Sequence, residues 1–219
     1  MSSASISMGE RQERTQLIIF YVALSLTAVI WFAPIIMLVF TALKSAGDFA
    51  IHGALAIPTE IAWSNFSDAW DTGVRDYFWN SVIIASIKVP LGVVIEAMAA
   101  FDLTHIPFRW ANKIFILILL GLIVPIQMAL VPLTIIMNAL NLIDTRTGLT
   151  LLYLGFGVPF GVLIMRGFFR TIPTELIEAA KIDGCSYWRI FFQVALPLAL
   201  PAVLSLCILD GVATWNEFI

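Results

Sequence analysis

Charge is what this sequence has least of. Asp, Glu, Lys and Arg make up 12% of its 219 residues and apolar side chains 60%, whereas a soluble domain carries about 25% and 45–50%. An ordinary water-soluble domain is therefore excluded. A basic excess is missing too: twelve Lys and Arg stand against fifteen Asp and Glu, so a phosphate backbone would go unneutralised and nucleic acid is not the partner. Two cysteines, Cys185 and Cys207, and two distant histidines, His52 and His105, are too few for a disulfide framework or a His/Cys metal cluster. The G-x-x-x-x-G-K-[ST] phosphate loop does not occur, so nucleotide binding is not expected of this chain. No metal, cofactor or catalytic residue is assigned.

What is present is length of apolar run. A helix needs about 20 predominantly apolar residues to cross the hydrocarbon core, because each backbone amide must be satisfied within its own segment. Leu17 to Leu43 is uncharged, too long for a secretory signal, and follows a polar tail of residues 1–16. Further runs fall at Asn80 to Leu103, Ile114 to Met137, Gly148 to Met165 and Phe192 to Leu209. The expected fold class is all-α, a polytopic transmembrane helical bundle of five spans, with residues 17–219 as one membrane domain.

Cytoplasmic loops retain the excess of Lys and Arg. Arg11, Arg14, Arg109, Lys113, Arg166, Arg170, Lys181 and Arg189 fall in the tail, the 104–113 loop and the 166–190 stretch, while the opposite set holds only Lys44, Arg75 and Arg146. The N-terminus is expected inside and the 44–79 loop outside. That loop carries Trp63, Phe66, Trp70, Tyr77, Phe78 and Trp79. Two readings of it stand: an interfacial aromatic belt, or a docking surface for an external partner.

The most informative stretch reads "RGFFRTIPTELIEAAKIDGCSYWRIFFQVALPLALPA". Pro173 suits a first helical turn, Thr174 and Glu175 complement it, and Asp183-Gly184 supplies the stop. The resulting helix of about ten residues is too short to span a bilayer or to be stable alone. Leu176, Ala179, Ala180 and Asp183 share a face at helical spacing, and the alanines let another backbone approach closely. Either this face docks into a groove on a soluble protein, or the alanines are good helix formers resting on the chain's own loops.

Glu178-Ala179-Ala180, three residues, Gly184, nine residues, Val194, one residue and Leu196-Pro197 resemble the EAA loop of ABC importer permeases, EAA-x3-G-x9-[IV]-x-LP. "NSVIIAS" at Asn80, "AAF" at Ala99, "IVPIQMALVPL" from Ile123, "LIDTRTGL" from Leu142 and "WNEFI" from Trp215 make the chain similar to the carbohydrate, maltose-type branch. The resemblance implies a permease subunit of the inner membrane that moves a sugar or polyol. Its implied partners are a second permease subunit, ABC ATPase subunits and an external solute-binding protein. Residues 173–184 would be the coupling helix, with Glu178, Ala179, Ala180, Asp183 and Gly184 meeting the ATPase and Leu196-Pro197 bending the fifth span. Permeases of this kind continue past the "WNEF" block into a further helix, so a C-terminal helix is expected to be missing from the chain ending at Ile219.

Ionisable residues inside a span usually face the bundle interior or a watery cavity. Lys88 and Glu96 lie eight positions apart in the second span, about 12 Å of helix rise, and would meet only loosely. They are a compensating or snorkelling pair, or else part of a translocation path together with Gln127, Trp215 and Asn216. Gly157 and Gly161 form a small-x3-small pattern that reads as close helix packing. Two other functions compete: an ion-coupled secondary transporter with Lys88, Glu96 and Asp102 as a relay, and an importer permease for a non-sugar solute.

Overall fold

Backbone amides that must be satisfied without water close into helices, and helices are what the apolar runs become. A computed structural model describes residues 3–217. Phe218 and Ile219 of the "WNEFI" block lie outside the described residues, as does the side chain of Arg11. The chain divides near Arg75 into two units, which are taken one at a time.

In the first unit, α1 runs from Ser3 to Ala42 and continues the expected span through most of the polar tail. Its apolar side chains from Leu17 to Val39 are largely exposed, as suits a helix bathed by lipid. The loop after it is tied by polar contacts rather than by a core. Ser45 caps α2 (Ala46–His52) by accepting from the Asp48 N–H at 3.2 Å. The Asp48 carboxylate in turn accepts from the Thr59 N–H at 3.0 Å and hydroxyl at 2.9 Å, and meets His52 Nδ1 at 2.8 Å. Lys44 Nζ donates to the Gly53 carbonyl, and Asn65 Nδ2 to those of Ala42 and Lys44. α3 (Ser64–Ala69) follows, then a π-helical turn, Trp70–Val74, in which Gly73 takes φ 132°.

The Thr59 N–H, more than any other group, holds the Asp48 carboxyl below its ordinary value of 3.8, with His52 and the Thr59 hydroxyl adding to it against a smaller opposing effect of burial. A depressed carboxylate contributes stability that is present above the unfolded value and lost as pH falls through the folded one. The 45–59 loop is thus expected to resist protease at neutral pH and to open only below about pH 4. Asp48→Asn should open it at pH 7, read as accelerated cleavage of solubilised protein between residues 53 and 60.

The second unit carries the rest: α4 (Arg75–His105), α5 (Ala111–Leu119, prolonged by a 3-10 turn to Leu122), α6 (Ile126–Ala139), α7 (Arg146–Phe169), α8 (Thr174–Ile182), α9 (Tyr187–Ile190), a π-helical turn at Phe191–Ala195, α10 (Leu196–Leu198) and α11 (Leu200–Asn216). Three stretches, Glu13–Ala42, Ser64–His105 and Arg146–Phe169, are long and apolar enough to cross a membrane as single helices. The expected third and fifth spans are not straight. Ala111–Leu122 and Ile126–Ala139 meet at 96°, and Tyr187–Leu198 and Leu200–Asn216 at 78°; each pair is a broken span or a re-entrant loop, so the described residues hold three candidate spans, or up to five with each pair counted as one.

Proline explains both breaks. Pro125 sits extended at the start of α6, and Ala199, with φ −84° and ψ 3°, lies between Pro197 and Pro201. Each ring removes an N–H from the helical ladder; a proline also disfavours helical backbone just before it, although Leu196, before Pro197, stays helical and the break falls at Ala199. Pro90, Pro132 and Pro159, by contrast, remain inside continuous helices.

The core of this unit gathers where α4, α7 and the α8–α11 stretch meet. Phe101 of α4 lies edge-on to Phe169 of α7, ring centres 5.9 Å apart, and 5.4 Å from Phe191. Ala97, Ala100, Val162, Met165, Ile177, Ile190, Ala195, Ala199 and Leu206 complete it. Small residues at 97, 100, 195 and 199 let the helices approach closely.

Candidate functional site

α8 begins and ends as its residues dictate. Pro173 stands at the N-cap with φ −56° and ψ 129°, and Glu175 lies in the first turn. At the other end the Cys185 N–H donates to the Ala180 carbonyl and the Gly184 N–H to that of Lys181, each at 3.0 Å. This is the double-bonded stop that needs a left-handed residue after the helix, and Gly184 supplies it at φ 79°. Ile177, 2% exposed, inserts into the core beneath and fastens α8 to it.

Four of the residues singled out on α8, Glu178, Ala179, Asp183 and Gly184, are exposed, together with Leu176 and Ile182. Ala180 is not on the open face: it is half-buried against the core, because the helix rolls about Ile177. Leu196 packs against the same core, and Pro197 lies two residues before the 78° bend.

At mid-helix depth three charged side chains converge. Lys88 of α4 forms an ion pair with Asp210 of α11, both buried. Glu96, two turns further along α4 and 1% exposed, lies against α7. A Cβ on Gly161 would overlap its carboxyl group, and one on Gly157 would lie 3.2 Å from Lys88 Nζ and 3.4 Å from Glu96 Oε1. A Cβ on Gly92 would sit 3.6 Å from Glu96 Oε1 and 3.8 Å from Asp210 Oδ2. One expectation is corrected here: the partner of Lys88 is Asp210 rather than Glu96. Gly157 and Gly161 do mark a close approach of α4 to α7, and what fits against them is the Glu96 carboxyl group and the Lys88 ammonium. Sequence reasoning missed Asp210 because it falls one residue beyond the apolar run 192–209; an acidic residue beside a span that also faces two charges was the available signal.

A cavity of about 580 Å³ opens between α4, α6, α7 and α11. Its polar lining includes Tyr77, Asn80, Thr134, Arg146, Tyr153 and Trp215. The Arg146 Nε–H donates to Asn80 Oδ1 at 2.8 Å, and the Trp215 ring stands edge-on to Phe78 at 5.7 Å. Aromatic faces beside hydrogen-bonding groups suit a hydroxyl-rich ligand. Of the five residues expected on a solute path, only Trp215 lines this cavity. Lys88 and Glu96 are buried in the helix interface and do not border it, and Gln127 and Asn216 are exposed but do not border it either.

Residues 88–219 match the family described as binding-protein-dependent transport system inner membrane component. Similar chains include the permease protein of a diacetylchitobiose uptake system from Streptomyces coelicolor, 34% identical over 90% of this chain and 65% of the relative. Another is the melibiose/raffinose/stachyose import permease of Bacillus subtilis, 31% identical over 85% and 68%. This chain thus spans about two thirds of these curated relatives. Among solved structures, one chain of a bacterial ABC transporter involved in import of the acidic polysaccharide alginate superposes with a TM-score of 0.75, at 25% identity, covering 95% of this chain and 74% of that one.

Proposed function

The chain belongs to the family of binding-protein-dependent transport system inner membrane components, and from that premise we propose that it is the permease subunit of an ABC importer for a sugar. Its partners are a second permease subunit, cytoplasmic ATPase subunits and an external solute-binding protein. The relatives named for oligosaccharides, and a cavity of about 580 Å³ lined by aromatic and hydroxyl groups, favour a cargo of two or more rings. The distribution of basic residues puts the N-terminus and α8 on the cytoplasmic side and the 44–79 loop outside.

The observation that carries the reading is the mounting of α8. A nine-residue helix pinned by Ile177, with Leu176, Glu178, Ala179 and Ile182 open to solvent, is a coupling helix ready to seat in an ATPase groove. Closure of the ATPase pair moves α8 as a rigid body. The bend at Ala199 passes that movement to α11, and the cavity opens alternately to each side. Binding of ATP and of cargo must favour a common global state for this coupling to exist.

Glu178→Lys reverses a charge on the docking face without touching the core, and Gly184→Val puts a β-branched residue into a left-handed conformation that costs about 1–2 kcal/mol. Both variants should insert into the membrane at normal abundance and lose uptake of labelled oligosaccharide. Normal uptake by either at normal abundance would contradict the coupling role.

A further inference from the structure

The charged interface between α4, α7 and α11 is not accounted for by cargo binding or ATPase docking. Three ionisable groups meet there: Lys88 and Glu96 from α4 and Asp210 from α11, with the Cys207 thiol one turn before Asp210. From α7, Gly157, Gly161 and the Leu154 side chain face this cluster. Among the described residues, Glu96 Oε2 and Asp210 Oδ2 are buried without a hydrogen-bond partner. Carboxylates placed in this way cost desolvation energy that one ammonium does not repay. An apolar interface would hold the helices together at least as well, so stability alone does not explain them.

The position of Asp210 does. It lies eleven residues beyond the bend at Ala199, about 16 Å along α11. Lys88 sits on a continuous helix that the bend does not reach. A swing of α11 by roughly 10° about Ala199 would carry the Asp210 carboxylate some 3 Å away, given that lever arm. An ion pair does not survive such a step in a water-poor interface, so its two ends can meet in only one position of α11.

We propose that Lys88 and Asp210, with Glu96 seated on Gly157 and Gly161, form a gating brace that holds α11 against α4 in one state of the transport cycle and must open in the other. This rests on the importer reading. The brace residues are positioning residues: they touch neither cargo nor ATP, and they set how readily the bundle leaves the braced state. Without the brace, the assembled transporter should hydrolyse ATP without waiting for a loaded binding protein.

The test uses the assembled transporter in proteoliposomes. In a Cys185→Ser background Cys207 is the remaining cysteine of this chain, and it is half-buried beside the brace. Its maleimide labelling should be slow at rest and rise on the order of tenfold when ATP and vanadate trap the other state, an ordinary size for such coupling. Lys88→Met with Asp210→Leu, made in a Glu96→Gln background so that no buried carboxylate loses its cation, replaces the pair by apolar groups. That variant should assemble, label fast in both states, and hydrolyse ATP about tenfold faster in the absence of binding protein. The charge-swapped Lys88→Asp with Asp210→Lys should restore slow labelling. Equal labelling of Cys207 in the resting and trapped states would overturn the brace even if the double variant failed to assemble. Unchanged hydrolysis and labelling in an assembled double variant would overturn it too. Failure of the importer reading looks different: the unaltered assembly would then show no ATP-driven uptake at all.

Discussion

Gly161→Ala is expected to remove most folded protein from the membrane, although alanine is the better helix former. The added methyl would occupy the space of the Glu96 carboxyl group. Glu96 has little room to step aside: it is 1% exposed, and even a Cβ placed on Gly157 of α7 or on Gly92 of its own helix would lie within 3.4 and 3.6 Å of its Oε1. Either α7 retreats from α4 and opens the Phe101–Phe169 contact, or the carboxylate turns away from Lys88, its counter-charge. Disturbing a buried charge in this way costs about 3–5 kcal/mol, a large share of the roughly 5–15 kcal/mol that stabilises a domain. Gly155→Ala and Gly167→Ala provide the contrast on the same helix. A Cβ there meets nothing within 4 Å, so these variants should gain up to about 1 kcal/mol from reduced backbone freedom. Thermal melting of solubilised protein separates the cases. Gly161→Ala combined with Glu96→Ala should recover most of the loss, because the clash needs both partners.

On the coupling role proposed for α8, Ile177→Asp should uncouple the transporter without removing it from the membrane. Nine residues do not hold a helix in water by themselves, so α8 keeps its shape through the one side chain it buries. A carboxylate in that pocket would be desolvated and unpaired, and α8 should leave the core and fray. Uptake should fall at least tenfold and the ATPase subunits should no longer copurify. Membrane insertion should be unaffected, since the apolar runs that drive it are untouched. Leu176→Ala, one residue earlier and 45% exposed, should weaken ATPase copurification while changing stability by no more than about 0.5 kcal/mol. A fall in melting temperature of similar size for both variants would show that α8 is not anchored at Ile177.

α8 was legible in the sequence because its signals are local. A proline at the start, a glycine at the stop and an apolar residue at the right spacing lie within a dozen positions, and the helix bounds follow to within two residues. The bend near Pro197 was legible for the same reason. The 96° corner in the third span was not legible, because Pro132 and Pro125 look alike in sequence, yet Pro132 sits inside a continuous helix while Pro125 ends up extended at a corner. Which proline breaks a helix depends on the packing around it. The pairing of Lys88 with Asp210 spans 122 positions, and no periodicity relates residues that far apart. Likewise Gly157 and Gly161 announce that something approaches α7 closely, but not that it is an ammonium and a carboxylate. The Asp48 tie was hidden because its partner Thr59 lies in an irregular loop.

The corner between α5 and α6 has a consequence for the lipid around it. Twelve residues on one arm and fourteen on the other give lengths of about 18 and 21 Å, and neither reaches across a hydrocarbon layer of about 30 Å. Two arms at 96° cannot both stand upright, so the apolar height presented to neighbouring acyl chains is shorter here than along the straight helices. Lipids bordering this corner must shorten or tilt to meet it, and the cycling rate of the transporter should therefore depend on acyl-chain length, rising in thinner bilayers.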